Sequence, residues 1–357
     1  MKRISALIML LAGALGALAG APARAAKPLP VRVVVVTMFE RGADAGDTPG
    51  EFQYWVERLP LRQTIAFPQG YRDLHYNADK QVLGICTGMG TARSAASVMA
   101  LGLDPRFDLS HAYWLVAGIA GIDPADGSTG SAVWAEWLVD GDLAHEIDPR
   151  EMPAGWATGY LPLSKTQPYQ QPMREGEYNN AIHLNPGLVH WAYGLTKDLQ
   201  LPDNDKIREL RAAYTATPAA QQPPRVMLGD HLAAMTYWHG QYATQWANDW
   251  VKYWTQGQGN FVTSAMEDTG TGQSLEFLAK AGKVDFNRFL VLRAASNFTM
   301  QHPGSTAIQS LANEEHGQDK GYSAYLPALE AAYMTGAKVV NSLVDNWAAC
   351  RDQLPGQ

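Results

Sequence analysis

The chain is expected to fold as an α/β protein, a single layered domain whose central mixed, mostly parallel twisted sheet is flanked by helices. Three observations predict this. Residues 31–36 form a β-branched run interrupted only by Arg32, the length of a strand buried on both faces. Val82–Cys86 is a second apolar run, and it passes through Thr87-Gly88-Met89-Gly90 into a helix-forming stretch at 95–101. Strand-length and helix-length segments then alternate to the C-terminus, the pattern of a layered α/β fold.

The first residues bear on compartment. Lys2-Arg3 precede a run, 4–20, that is apolar or small apart from Ser5, and Ala23-Arg24-Ala25 offers small residues at both positions of an A-x-A site. This is the pattern of a cleaved secretory leader. Residues 1–25 are therefore expected to be removed, leaving 26–357 secreted or periplasmic. Cleavage after Ala25 leaves 332 of 357 residues, and loss of Lys2, Arg3 and Arg24 takes the formal charge from −7 to −10. So acidic a chain is a poor partner for nucleic acid or an anionic membrane. No later apolar run approaches the ~18 residues that span a bilayer. Cys86 and Cys350 are expected as buried free thiols, although an exported compartment permits a disulfide. Nine scattered histidines, without a CxxC or HExxH pattern, suggest no metal centre.

Taken in order, the first strand ends in Thr37-Met38-Phe39-Glu40 and a Gly/Asp-rich loop, 42–50. Glu40 lies just past a strand end, where a carboxylate either serves a ligand or is a solvated loop acid. Residues 52–59 read as a strand or short helix, and 61–67 as a strand. The Gly88-x-Gly90 turn lets backbone N–H groups approach a ligand. It lacks the third glycine and the ribose acid of a dinucleotide site, which excludes NAD. Arg93 stands in a first helical turn, where a cation is unfavourable, so it calls for an acid or a bound anion. Residues 113–117 are a strand running into a small-residue turn, 118–121. Residues 131–139 alternate as one strand. The acids and histidine of 140–148 lack the glycine and terminal glutamate of an EF-hand loop and read as a solvated loop.

Residues 151–225, rich in Pro, Gln, Tyr and Trp, read as an insertion holding helices at 187–197 and 205–213. A short strand follows at 226–229. Trp246, Trp250 and Trp254 recur four apart on a helix, Gln241–Trp254, as a packing face requires. Tyr237, Trp238 and His239 lie off that stripe and are candidates to stack on a flat ligand. Helices at 307–312 and 324–348 should cover the sheet.

The segment 260–298 organises these parts. It parses as a strand, Met266-Glu267-Asp268, a helix, a strand, and Arg293-Ala-Ala-Ser296-Asn297. A parallel βαβ unit leaves both strand ends at one edge of a sheet, so Glu267, Arg293 and Asn297 should share a crevice. A carboxylate, a guanidinium and a carboxamide there can grip a polar, uncharged ligand. A structural Glu267–Arg293 ion pair accounts for two of the same residues equally well.

Three segments together, Ile85-Cys-Thr-Gly88-Met-Gly90, Leu115-Val-Ala117-Gly118-Ile-Ala-Gly121 and Met266-Glu267 with Arg293-Ala-Ala-Ser296-Asn297, resemble the nucleoside phosphorylase and nucleosidase superfamily. The whole mature chain resembles the purine nucleoside permease (NUP) family. The resemblance implies a nucleoside phosphorylase-like fold and a purine nucleoside as ligand. It implies cleavage of the N-glycosidic bond by hydrolysis, or by phosphorolysis with phosphate as co-substrate. The alternative is a non-catalytic nucleoside-binding protein serving transport. Met266 and Glu267 would hold the ribose, with Asp268, Ala117, Gly118 and Ser296 in the same site. Gly88, Thr91 and Arg93 match the place of phosphate. Glu40 sits where hydrolytic members carry the water-activating acid, and Arg293 would assist the leaving base. At Asn297 the chain departs from the acid of the superfamily motif: an Asn cannot deliver a proton, but it can hydrogen-bond along N7 and O6. No other cofactor is implied. Relatives assemble as dimers, trimers or hexamers, so a homo-oligomer is compatible with the resemblance.

Overall fold

The computed structural model describes residues 27–171, 180–316 and 324–357. The expected leader lies outside them. Among the described residues twelve strands form one sheet. They are β1 (Val33–Thr37), β2 (Gln63–Ile65), β3 (Leu74–Asn77), β4 (Val82–Cys86), β5 (Tyr113–Ile122), β6 (Ala132–Trp134), β7 (Trp137–Asp140), β8 (Ala181–His183), β9 (Val226–Leu228), β10 (Asp230–Ala233), β11 (Phe261–Ala265) and β12 (Phe289–Phe298). Their order is β8-β7-β10-β11-β5-β1-β4-β3-β2, while β12 pairs β5 and β6, and β9 pairs β6. At the centre β4, β1, β5 and β12 run parallel. Each of these four strands is almost wholly buried, which is why their sequences are near-continuous apolar runs.

The α-helices among the described residues are α1 (Gln53–Arg58), α2 (Thr91–Gly102), α3 (Pro186–Thr196), α4 (Asp205–Ala212), α5 (Gln241–Trp254), α6 (Asp268–Lys280), α7 (Ala307–His316), α8 (Tyr325–Asp345) and α9 (Trp347–Cys350). α8 lies against β5 and β12, with α1 and α3 beside it. Trp246, Trp250 and Trp254 of α5 pack with Leu232 and Phe261 in a cluster of their own, so the four-residue stripe is a core face. Cys86 and Cys350 are both buried and free.

Three local expectations need correction. Residues 118–121 are strand rather than turn, because β12 pairs with β5 along one edge from Trp114 to Ile122. Residues 131–139 are two strands with different partners. The Asp230 carboxylate accepts the backbone N–H of Trp137 at 2.8 Å and splits them. The segment expected as an insertion, 151–225, contributes β8 to a sheet edge on β7 and Leu188, Val189 and Ala192 of α3 to the main core. The β11–α6–β12 unit, finally, is not parallel: β11 pairs antiparallel with β5 and β12 pairs parallel with it.

That last difference builds the site. β1 pairs with β5 only as far as Val116, and β11 pairs only with Gly121 and Ile122. Between them, on that edge of β5, residues 117–120 have no strand neighbour. The backbone N–H and C=O of Ile119 face this gap, where side chains satisfy them.

α2 and α6 carry the glycine turn and Met266-Glu267 toward the same gap, and they approach closely. A Cβ on Gly270 would overlap the Thr91 carbonyl oxygen and stand 3.0 Å from Thr91 Cγ2. Backbone cannot yield as a side-chain tip can. Gly270→Ala is therefore expected to destabilise the protein by about 2 kcal/mol through overpacking. A thermal melt checks this, and an unchanged melting temperature would contradict the close approach.

Candidate functional site

A cavity of about 520 Å³ opens at the gap, with Met38, Glu51, Glu267, Arg293, Asn297 and Tyr237 in its wall. Its charged centre is Arg293 on β12, only 1% exposed. Arg293 is opposite Gly118 in the parallel register. A Cβ on Gly118 would overlap Met38 Cε and stand 2.5 Å from Glu51 Oε1 and 2.7 Å from Arg293 Nη1. Glycine there is the space that the guanidinium and the carboxylate occupy.

Three carboxylates surround this guanidinium. Arg293 Nε and Nη2 donate to Asp268 at 3.2 and 2.6 Å, and Nη2 also donates to Glu267 Oε2 at 3.0 Å. Nη1 donates to the Ile119 carbonyl at 3.1 Å and lies 3.9 Å from Glu51 Oε1. A bidentate grip of this kind fixes the plane of the guanidinium. Burial works against the Arg293 charge, but Asp268, Glu267 and Glu51 outweigh it and hold its pKa above the ordinary range. Burial likewise penalises the Asp268 charge, and Arg293 and His231 overcome it, leaving that carboxyl well below its usual value.

Glu267 receives the Gly90 N–H at 3.0 Å, and Thr91 Oγ1 and Ser94 Oγ donate to the carbonyls of Met266 and Glu267 at 3.0 and 3.2 Å. The glycine turn thus secures the Met266-Glu267 corner. Gly88 and Gly90 have φ of +84° and +94°, a conformation open to glycine. Of the residues of this turn, Met89 reaches the cavity wall. Arg93 is exposed, directs Nη1 at the Met89 carbonyl at 3.4 Å, and stands outside the lining. Of the two partners expected for it, an acid or a bound anion, no acid pairs with it among the described residues.

Glu51, which precedes α1, lines the cavity. Its Oε2 accepts the Met38 N–H at 2.8 Å and its Oε1 accepts the Ile119 N–H at 2.7 Å, so it bridges β1 to the gap in β5. Burial pushes its carboxyl up to about 8, with Arg293 pulling down and Glu267 pushing up. Glu40 is instead spent on the loop that follows it. Its carboxylate accepts backbone N–H groups from Gly50, Arg41, Phe52 and Gln53, the last three at 2.7, 2.9 and 2.6 Å. It pins loop 41–50 to the start of α1 and does not line the cavity.

Farther along β12, a register shift between Ala295 and Asn297 turns Ser296 and Asn297 toward the cavity. Ser296 Oγ reaches the Ala120 carbonyl at 3.2 Å and Asn297 Oδ1 at 2.9 Å, and Asn297 Nδ2 donates to the Tyr237 hydroxyl at 2.9 Å. Trp238 and Met266 also line the cavity. His239 does not, and burial lowers its pKa to about 4. Ala117 lies beneath the lining, and Asp268 stands behind Arg293, where it grips the guanidinium instead of facing the cavity.

Two residues here, Glu51 and His231, stand out little in the sequence. Glu51 follows a glycine-rich loop and precedes the 52–59 segment, a signal no stronger than that of Glu40 on the other side of the same loop. His231 carried less, a lone histidine beside Leu232 in a short run.

The fold is similar to that of solved nucleosidase structures. The futalosine hydrolase of Helicobacter pylori superposes with a TM-score of 0.50 at 14% identity, over 88% of this chain and 99% of that one. A 5′-methylthioadenosine/S-adenosylhomocysteine nucleosidase of Neisseria meningitidis gives 0.47 at 15% identity, over 88% and 100%. Residues 30–355 match the model of the purine nucleoside permease (NUP) family, and the chain belongs to that family. A probable purine nucleoside permease of Schizosaccharomyces pombe is 28% identical over 332 residues, 89% of this chain and 90% of the relative. The purine nucleoside permease of Candida albicans is 29% identical over 304 residues, 82% and 72%.

Arg293→Met should destabilise the protein by about 3–5 kcal/mol, the cost of leaving buried carboxylates without their cation. The loss should be greater at pH 8 than at pH 5. Asp268, with its depressed pKa, contributes stability above its unfolded pKa that is lost on acidification. Without Arg293 the acids can protonate as pH falls, so the two proteins converge. Melts across pH check this, and a pH-independent difference would contradict the charge assignment.

Proposed function

We propose that this protein binds purine nucleosides and hydrolyses their N-glycosidic bond, releasing free base and sugar. The observation that carries the reading is the placement of two buried carboxylates, Glu51 and Glu267, at the two Nη groups of one guanidinium in a single cavity. Cleavage of a glycosidic bond through an oxocarbenium-like state asks for two acidic groups with separate tasks. Glu267, its geometry fixed by Gly90 and Arg293, takes the sugar hydroxyls. Glu51 takes a proton from the attacking water. Its raised pKa makes it a stronger base than an ordinary carboxylate once ionised. Asn297, Ser296 and Tyr237 face the base. With no acid at Asn297, the base departs as an anion stabilised by hydrogen bonds.

Hydrolysis is preferred to phosphorolysis because the turn that could cradle phosphate spends its Gly90 N–H on Glu267, and Arg93 stands outside the cavity. Arg41, at the cavity wall, remains a cation that an anionic co-substrate could use. A second reading, binding without turnover, is favoured by Asn297 itself and fits a role beside a transporter. Among the described residues no helix is long and apolar enough to cross a membrane.

Purified protein incubated with inosine, guanosine or adenosine is expected to release free base without phosphate. Release only with phosphate would shift the reading to phosphorolysis. No release, with nucleoside still raising the melting temperature, would leave a binding protein. Glu51→Ala should lower kcat by about 100-fold or more, the usual worth of a general base. Turnover within tenfold of the unsubstituted protein would remove Glu51 from that role.

The pH dependence follows from the same group. Glu51 acts as a base only when ionised, so kcat/KM should rise with pH toward a plateau, with an apparent pKa near the value of about 8 set by burial. A profile flat from pH 6 to 9 would mean that another group takes the proton.

A further inference from the structure

His231 is a fully buried titratable side chain for which the proposed reaction has no use. It lies on β10, and β10 pairs in parallel with β11, which places His231 opposite Thr263. Its Nδ1 is 2.9 Å from Thr263 Oγ1, and its Nε2 is 2.9 Å from Asp268 Oδ2. That same carboxylate oxygen accepts from Arg293 Nη2 at 2.6 Å. An unbroken line therefore runs from Thr263 through His231, Asp268 and Arg293 to Glu267, whose Oε2 shares Nη2 at 3.0 Å.

We propose that His231 is a positioning residue: through Asp268 it fixes the Arg293 guanidinium, and so the orientation in which Glu267 meets a ligand. The argument is one of donors and acceptors. An ionised Asp268 only accepts, so the nitrogen facing it must carry a proton. The Ala265 N–H also approaches Nε2, at 3.2 Å, but the hydrogen bond to a carboxylate is the stronger one. With that proton in place, Asp268 is held on one side by His231 and on the other by two guanidinium nitrogens. Without it, Asp268 can turn about its Cα–Cβ bond, Arg293 follows, and the Nη2 bridge to Glu267 loosens. Displacements well under a side-chain length are enough to weaken a preorganised site.

The contact is tested first on the ligand-free protein, with ¹⁵N-labelled histidine and long-range ¹H–¹⁵N correlation; the signal absent from His231→Asn assigns the ring. A protonated Nε2 supports the proposal, and an unprotonated Nε2, accepting from Ala265, overturns it. The second arm rests on the nucleoside reading and measures inosine and guanosine affinity by calorimetry. His231→Gln can return an N–H to the Nε2 position, whereas the amide of His231→Asn reaches only the Nδ1 position. The Gln variant should bind within about threefold of the unsubstituted protein and the Asn variant about tenfold or more weakly, the range for a lost hydrogen bond to a charged group. Equal affinities for the two variants, at equal melting temperatures, would overturn the proposal. If the unsubstituted protein binds neither nucleoside, the functional reading has failed, and the resonance of His231 still decides the positioning contact.

Discussion

A single buried cation holds this site together. Arg293 comes from the middle of a central strand, where an unpaired charge would be intolerable, and three carboxylates from two separate parts of the chain close around it. Glu51 arrives from the start of α1, Glu267 from the end of β11, and Asp268 from the first turn of α6. Burying such a group is costly, and replacing it with apolar side chains is often no loss to stability. What the arrangement supplies is orientation: two carboxylates fixed in a cavity, with geometry that water would not preserve.

The sheet makes room for that cation by leaving itself incomplete. β5 outruns β1 and meets β11 only at its last residues, so a stretch of central strand has backbone groups free to bind side chains. Ile119 gives its N–H to Glu51 and its carbonyl to Arg293. The absence of a side chain at Gly118 keeps the gap open. Fold and site are thus one construction.

The apolar runs at 31–36 and 82–86 made central strands legible, because a strand buried on both faces writes itself as a nearly continuous apolar string. The tryptophan stripe of α5 was legible for the same reason. Strand direction was not. β11–α6–β12 has the pattern of a parallel βαβ unit, and nothing in its residues reveals that β11 pairs with the far end of β5. Gly118 and Gly121 look like turn residues because glycine marks turns and close approaches alike. At the site, Glu267, Arg293 and Asn297 were readable as a convergent group. Glu40 and Glu51 could not be told apart by type, since both are acids beside a glycine-rich loop. Only the geometry shows that four backbone N–H groups occupy the first, whereas the second faces the cavity.

Membership of the NUP family and a nucleosidase-like architecture are compatible under the proposed function, in which one cavity serves both binding and cleavage. The most direct test of the account is a crystal structure with a non-hydrolysable purine nucleoside analogue. It should show the sugar hydroxyls on Glu267, the base along Ser296 and Asn297, and a water held by Glu51 on the opposite face of the sugar. A ligand seated at the exposed Arg93 turn, with the Arg293 cavity empty, would contradict it.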